Sequence, residues 1–281
     1  LDKQNLDKVV ADNNSAAVRI DELSYRYPDG TNALNGVSLT IPKGVRTAIL
    51  GANGCGKSTL FFHINGLLSP HTGKVYVFDD EVKKANLKKI RQQVGFVFAN
   101  PDSQVFATSV REDIAFGPRN LSLTEEEVHL RVEWAMEQVG IMDLANRPPQ
   151  NLSLGQKKRV AIAGVLAMKP DILVFDEPTV GLDPAAKRQL FSILNKLEDG
   201  NRTIIISTHD VDLAYSWAEQ IIVMSNGQVV KIGPPEILCD AELIERAALE
   251  IPQLAQAFCG SGYQPRTAAE ANRVISKLIN S

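Results

Sequence analysis

The sequence predicts an α/β fold, a parallel β-sheet covered by helices, and three observations carry that prediction. Short β-rich runs alternate with longer helical ones along the 281 residues. Three of the runs are apolar almost from end to end, as central strands buried on both faces must be. One of these leads directly into a glycine-rich turn that opens a helix. Composition agrees: 44% hydrophobic and 22% charged residues describe a globular chain long enough to bury a substantial core. A formal charge of −3 advertises neither nucleic acid nor anionic lipid as a partner. Cys55, Cys239 and Cys259 are odd in number and widely spaced, which argues for a reducing compartment over a disulfide framework. No apolar stretch approaches the roughly 20 residues of a membrane-spanning helix.

In chain order, residues 1–17 are polar and read as a loose leader. Strands are expected at Val18–Tyr25, Val37–Ile41, Thr47–Leu50, Lys74–Phe78, Val94–Phe98, Ile172–Phe175, Thr203–Ser207 and Gln220–Met224. Helices are expected at Lys57–Leu68, Gln156–Met168, Pro184–Leu197 and Val211–Ala218. From about 99 to 155 the rhythm breaks. Thr124 and Glu127 form a capping box, and Val128, Val132, Ala135, Met136 and Val139 recur at helical spacing, so this insert is expected to be a helical subdomain. It divides a core of 18–98 and 156–235, and Pro234-Pro235 punctuates the start of a C-terminal extension, 236–281, read as helices and a polar tail.

The strongest chemical signal is Gly51-Ala52-Asn53-Gly54-Cys55-Gly56-Lys57-Ser58, which has the spacing and the strand–turn–helix context of a P-loop. Its backbone N–H groups and the helix N-terminus would cradle phosphates, Lys57 would reach the β/γ-phosphates, and Ser58 would ligate Mg²⁺. Thr59 continues the same turn. Ile172–Phe175 ends in Asp176-Glu177, which places Asp176 where a Walker-B aspartate holds Mg²⁺ and offers Glu177 as general base for an attacking water.

Leu152-Ser153-Leu154-Gly155-Gln156, between the P-loop and Asp176-Glu177-Pro178-Thr179, makes the chain resemble the ATP-binding cassette (ABC) ATPases over about residues 18–233. The resemblance implies a RecA-like P-loop NTPase core with N-terminal antiparallel β elements, the inserted helical subdomain and a short helical extension. It also implies ATP and Mg²⁺ as cofactors and a head-to-tail pair of cassettes. In that pair Ser153, Gly155 and Gln156 of one copy cap the γ-phosphate bound to the other. His209 then matches the switch histidine, Asp183 the D-loop that couples the two sites, and Tyr27 the aromatic that stacks on adenine.

Two positions depart from the family pattern. Leu154 stands at a usual glycine and is expected to enlarge the signature loop. Ala99 stands at the usual Q-loop glutamine, which leaves Gln104 as the side chain that would have to swing toward the metal. Together they imply slow hydrolysis by the isolated chain.

Asn100–Phe106 and Glu112–Pro118 resemble the ATPases of energy-coupling factor (ECF) importers, as does Leu249–Ala255 in the extension. That resemblance implies a homodimer on the cytoplasmic face of a cell membrane, partnered by integral membrane subunits and not by nucleic acid. Cobalt or nickel import is the nearest match. Vitamin uptake by an ECF ATPase and a soluble ABC assembly factor of the iron–sulfur type are the alternatives. His63, His71 and His129 lack ligand spacing, so the transported metal is not expected to bind here.

Overall fold

The computed structural model describes residues 16–197 and 202–279. The chain opens with β1 (Ala16–Arg26), β2 (Asn32–Pro42) and β3 (Arg46–Leu50), and α1 (Lys57–Ile64) follows the glycine-rich turn. Ala16 and Ala17, assigned to the leader from sequence, begin β1 instead, and Ala17 is fully buried. The rest of that leader lies outside the described residues. Next come β4 (Thr72–Val77), β5 (Asp80–Glu81), α2 (Leu87–Gln93) and β6 (Val94–Val97). Helix α1 stops four residues earlier than its apolar pattern suggests, because the chain turns at Asn65 and at Gly66, whose φ is +70°.

The insert contributes α3 (Val110–Asn120) and α4 (Glu125–Val139). Thr124 and Glu127 close the expected capping box, and all five residues at helical spacing are buried. The core resumes with α5 (Leu154–Ala167), β7 (Ile172–Phe175), α6 (Pro184–Lys196), β8 (Thr203–Thr208), α7 (Val211–Trp217), β9 (Gln220–Ser225) and β10 (Gln228–Gly233). The extension adds α8 (Ala241–Ala247), α9 (Gln253–Ala257) and α10 (Ala268–Ile279). Its ties to α7 include the Gln253 N–H, which donates to Asp212 Oδ1 at 2.6 Å, and Arg266, whose Nε donates to the Tyr215 carbonyl at 2.8 Å and whose Nη2 donates to the carbonyl of Ala218, the helix cap.

Two sheets result. One is antiparallel, in the order β2-β1-β4-β5; the other has the order β10-β9-β3-β8-β7-β6 and is parallel from β9 to β6. The alternation of side chains explains why the central strands read as unbroken apolar runs. Ile49, Ile172, Val174, Ile205 and Ile222 face a core shared with the antiparallel sheet and α1. Their neighbours Ala48, Leu50, Leu173, Phe175, Ile204 and Ile206 face a second core packed by α5 and the inserted helices. The carboxyl ends of β3, β7 and β8 therefore open at one edge of a rigid double layer, where the sequence placed its chemistry.

Candidate active site

The glycine-rich turn joins β3 to α1. Gly56 has φ +107°, and a Cβ there would sit 2.6 Å from the Ala33 carbonyl oxygen. Only glycine combines that conformation with that approach. Helix α1 begins at the next residue, so its first free N–H groups are left for an anion. Lys57 is buried: its Nζ donates to the carbonyls of Gly51 at 2.7 Å and Ala52 at 3.3 Å, and stands 3.3 Å from Glu177 Oε1. The Tyr27 hydroxyl lies 3.1 Å from Thr59 Oγ1.

A cleft of about 290 Å³ gathers Tyr27, Asn53, Gly54, Gly56, Lys57, Ser58, Thr59 and Glu177, with Thr31 and Ala33 completing its wall. Sequence reasoning had no signal for the last two, which arrive from β2 and its approach. Gly51 and Cys55 do not line the cleft. The Gly51 carbonyl holds Lys57, while the Cys55 N–H donates to Ala52 and its side chain joins the core between the sheets. Burial pushes the Cys55 thiol above its ordinary pKa, which suits packing rather than reactivity.

The two acids leave β7 in different directions. Asp176 is 5% exposed, and its Oδ1 accepts from Ser207 Oγ at 2.6 Å. Ser207 Oγ also accepts from the Glu177 N–H at 2.8 Å. Parallel pairing explains this: Phe175 opposes Ile206, so the next residue of each strand meets at the sheet edge. Ser207 was legible only as part of a strand end, and pairing of β7 with β8 is what makes it an organiser of both acids. Glu177 sits at φ +43°, a left-handed conformation that costs a non-glycine residue roughly 1–2 kcal/mol. Its carboxylate bridges Lys57 in the cleft and His209, which lies outside the cleft lining: Oε1 faces Lys57 and Oε2 is 3.0 Å from His209 Nδ1. Glu177 Oε1 is buried and makes no hydrogen bond, so the Lys57 ammonium is what compensates its charge.

The signature residues and Asp183 cap helices in their own chain. Ser153 Oγ accepts from the Gln156 N–H at 3.3 Å and Gln156 Oε1 accepts from the Ser153 N–H at 3.0 Å, a capping box at the start of α5. Asp183 Oδ1 accepts from the Ala186 N–H at 2.8 Å and caps α6. The two caps share a surface hollow of about 270 Å³ that also takes in Gly155. Leu154 does not enlarge this segment as expected; its Cδ2 lies 2.7 Å from where a Cβ on Gly181 would stand, so the side chain is laid across the next loop.

Gln104 is placed elsewhere than the metal role requires. Its Oε1 accepts from the Phe98 N–H at 3.0 Å and its Nε2 donates to the Phe96 carbonyl at 3.2 Å. The carboxamide thereby extends the end of β6 and lines a different feature, a groove of about 610 Å³ between α2, α3 and α5. At its rim Phe106 and Phe116 are exposed and meet edge to face at 5.0 Å.

The sequence model of the ABC transporter family matches residues 34–180. The chain is 46% identical to the energy-coupling factor transporter ATP-binding protein EcfA of Carboxydothermus hydrogenoformans, over 94% of this chain and 98% of that one. It is 50% identical to EcfA of Methanothermobacter thermautotrophicus, over 85% and 78% of the two chains. Among solved structures, cbiO1 of Clostridium perfringens, described as part of the ABC transporter complex cbiONQ, aligns with a TM-score of 0.74 at 40% identity, covering 87% of this chain and 99% of that one. A dimeric ATP-binding cassette bound to ADP and phosphate aligns at 0.71 and 30% identity, covering 78% and 98%. With a phosphate-cradling turn, two acids at the end of β7 and a signature helix in one α/β frame, the chain belongs to the ABC transporter ATPases, as the ATP-binding subunit of an energy-coupling factor importer.

Proposed function

We propose that two copies of this chain bind two ATP between them, on the cytoplasmic face of a membrane, and drive import of cobalt or nickel through separate integral subunits. The observation that carries the catalytic part is the linked set Lys57–Glu177–His209, with Asp176 and Ser207 behind it. On binding ATP, Lys57 exchanges the Gly51 and Ala52 carbonyls for phosphate oxygens. Glu177 Oε1, freed from Lys57, accepts a proton from the water that attacks the γ-phosphorus, while His209 holds Oε2 and fixes the carboxylate plane. Tyr27 lines the cleft and offers an aromatic ring on which an adenine would stack.

Mg²⁺ suits the donors present: the Ser58 hydroxyl and the Asp176 carboxylate are hard oxygens, and Asp176 commits only Oδ1 to Ser207. Such a sparse set fits an ion whose other ligands are phosphates and water. When bound, it neutralises charge on the β- and γ-phosphates.

Ser153, Gly155 and Gln156, with Asp183 beside them, form the face offered to the second copy's nucleotide. The groove rimmed by Phe106 and Phe116 is the place for a membrane subunit, since Gln104 and Phe106, from the segment that follows β6, line it. Among the described residues no helix is long and apolar enough to cross a membrane, in keeping with a peripheral engine. The resemblance of the 100–118 segment supports an ECF importer, and within that group the cobalt and nickel ATPases are the nearest match. The test is purification of the complex from native membranes with this chain as bait, identifying integral partners and any bound metal or small molecule. Integral partners with cobalt or nickel are expected. A bound vitamin would redirect the cargo, and soluble partners alone would overturn the transport reading.

A further inference from the structure

Leu154 and Lys158 are four residues apart and lie on one face of α5, one turn above the other. Both reach the same loop, residues 178–183, which runs from Glu177 to the cap of α6. Lys158 is 4% exposed, and its acceptors are main-chain carbonyls: Nζ donates to Pro178 at 2.8 Å and Val180 at 2.9 Å, with the Glu177 carbonyl at 3.5 Å. A buried ammonium held by carbonyl dipoles is costly to desolvate, so its place here answers a geometric need of the loop. Leu154 covers Gly181, whose φ of +75° and missing side chain make room for the δ-methyl group. The adjacent Lys157, one turn on from Leu154, pairs with Asp102 at 2.7 Å, in the loop that follows Ala99.

We infer that Leu154 and Lys158 form a clasp within one protomer that locks the signature end of α5 to the loop 178–183, with Lys158 acting as a positioning residue for Glu177 and Asp183. The usual glycine at 154 has no side chain to make the upper contact. The clasp makes the residues offered to a second copy one rigid unit with the backbone that carries the catalytic acid. A displacement entering α5 through Asp102 and Lys157 is then shared by Glu177 and Asp183. The clasp itself is a property of the single chain; its consequence for turnover rests on the ATP pair proposed above.

Two amides report on it, because Val180 N–H donates to Glu177 O and Leu182 N–H to Thr179 O, both at 3.2 Å. Hydrogen exchange is measured on the full chain and on Leu154→Ala, Lys158→Met and Lys158→Arg. The expected result is exchange at Val180 and Leu182 about tenfold faster in Lys158→Met and severalfold faster in Leu154→Ala, with α1 unchanged. Lys158→Arg, which keeps the cation and its donors, should return exchange to near the original rate. Unchanged rates at both amides in Lys158→Met and Leu154→Ala would overturn the clasp. Should Lys158→Met unfold, Leu154→Ala decides alone, since Leu154 is 38% exposed and its truncation opens no core cavity. In the membrane-bound assembly Lys158→Met should lower kcat about tenfold with KM for ATP nearly unchanged. Loss in KM instead would remove the positioning role. The exchange arm needs no nucleotide, so failure of the wild-type chain to bind ATP would overturn the site reading and leave the clasp standing.

Discussion

The P-loop and the signature loop are both short turns that open a helix, yet they are built in different ways. In the first, one local turn makes the whole cradle: Gly56 sets the backbone, α1 supplies free N–H groups, and Lys57 is held by carbonyls five and six residues back. In the second, Ser153 and Gln156 satisfy each other locally, and everything else is borrowed from a distance. Leu154 meets Gly181, and Lys158 meets Pro178 and Val180. A site made mostly within one turn leans on the rest of the molecule at few points, here Ala33 beside Gly56 and Glu177 beside Lys57. A site made by a loop elsewhere in the chain is set by it.

That contrast is sharpest for the largest expected effects. Glu177→Gln removes the proton acceptor and its ion pair with Lys57 but leaves the P-loop backbone and Lys57 in place, so turnover should fall by about 10²–10⁴-fold while ATP stays bound. Lys57→Ala should do the reverse and weaken nucleotide binding at least about tenfold, through loss of a charge-assisted contact. Phosphate release and equilibrium nucleotide binding on both variants separate the two; equal losses of affinity would mean the cradle and the acid are not independent.

Ser207→Ala should have a smaller effect that spreads further. It removes one hydroxyl bonded to both acids and leaves the Glu177 N–H without its acceptor, a cost of about 1–3 kcal/mol in stability. Turnover should drop about tenfold, because Asp176 and Glu177 lose their common anchor. Denaturant melts and steady-state hydrolysis check both halves, and a stable variant with full activity would dismiss Ser207 as an organiser.

How much of this could be read in advance follows the same division. The parallel core was legible because Ile49, Ile205 and Val174 and their neighbours are buried on opposite faces, which leaves unbroken apolar runs in the sequence. The floor of the cleft was legible because Asn53, Gly54, Gly56, Lys57, Ser58 and Thr59 are neighbours in sequence. Strands β5 and β10 were not, being short or half-polar edges. Thr31, Ala33 and Ser207 were not either, because only strand pairing brings them in. Gln104 was misplaced in advance for a related reason: a side chain five residues from the expected metal position is closer to the ends of its own strand, and the Phe96 and Phe98 backbone takes it.

Ala99→Gln restores a polar side chain at the end of β6 and should raise hydrolysis by the free chain severalfold, with a smaller gain in the membrane-bound assembly. An equally slow variant would make Ala99 neutral. The smallest effect concerns pH. Burial pushes the Lys158 ammonium from 10.5 down to about 8, against the pull of the Glu177 carboxylate. The folded value lies below the unfolded one, so holding the charged form is a penalty fully present below about pH 8 and relieved as pH rises toward 10.5. The stability of wild type relative to Lys158→Met should therefore increase between pH 8 and 10, by on the order of 1 kcal/mol. Denaturant midpoints at the two values measure it, and a flat difference would mean the three carbonyls keep the ammonium charged throughout.

In the proposed pair each active site takes the P-loop of one chain and the signature loop of the other. Glu177→Gln allows it to be tested with the bound state held. Sedimentation of this variant with and without ATP, alone and combined with Ser153→Arg, is the most direct measurement. The expected result is a doubling of mass on adding ATP, with one nucleotide per chain, that is abolished by Ser153→Arg while ATP stays bound. A Glu177→Gln chain that is saturated with ATP and remains a monomer, or a dimer indifferent to Ser153→Arg, would contradict it.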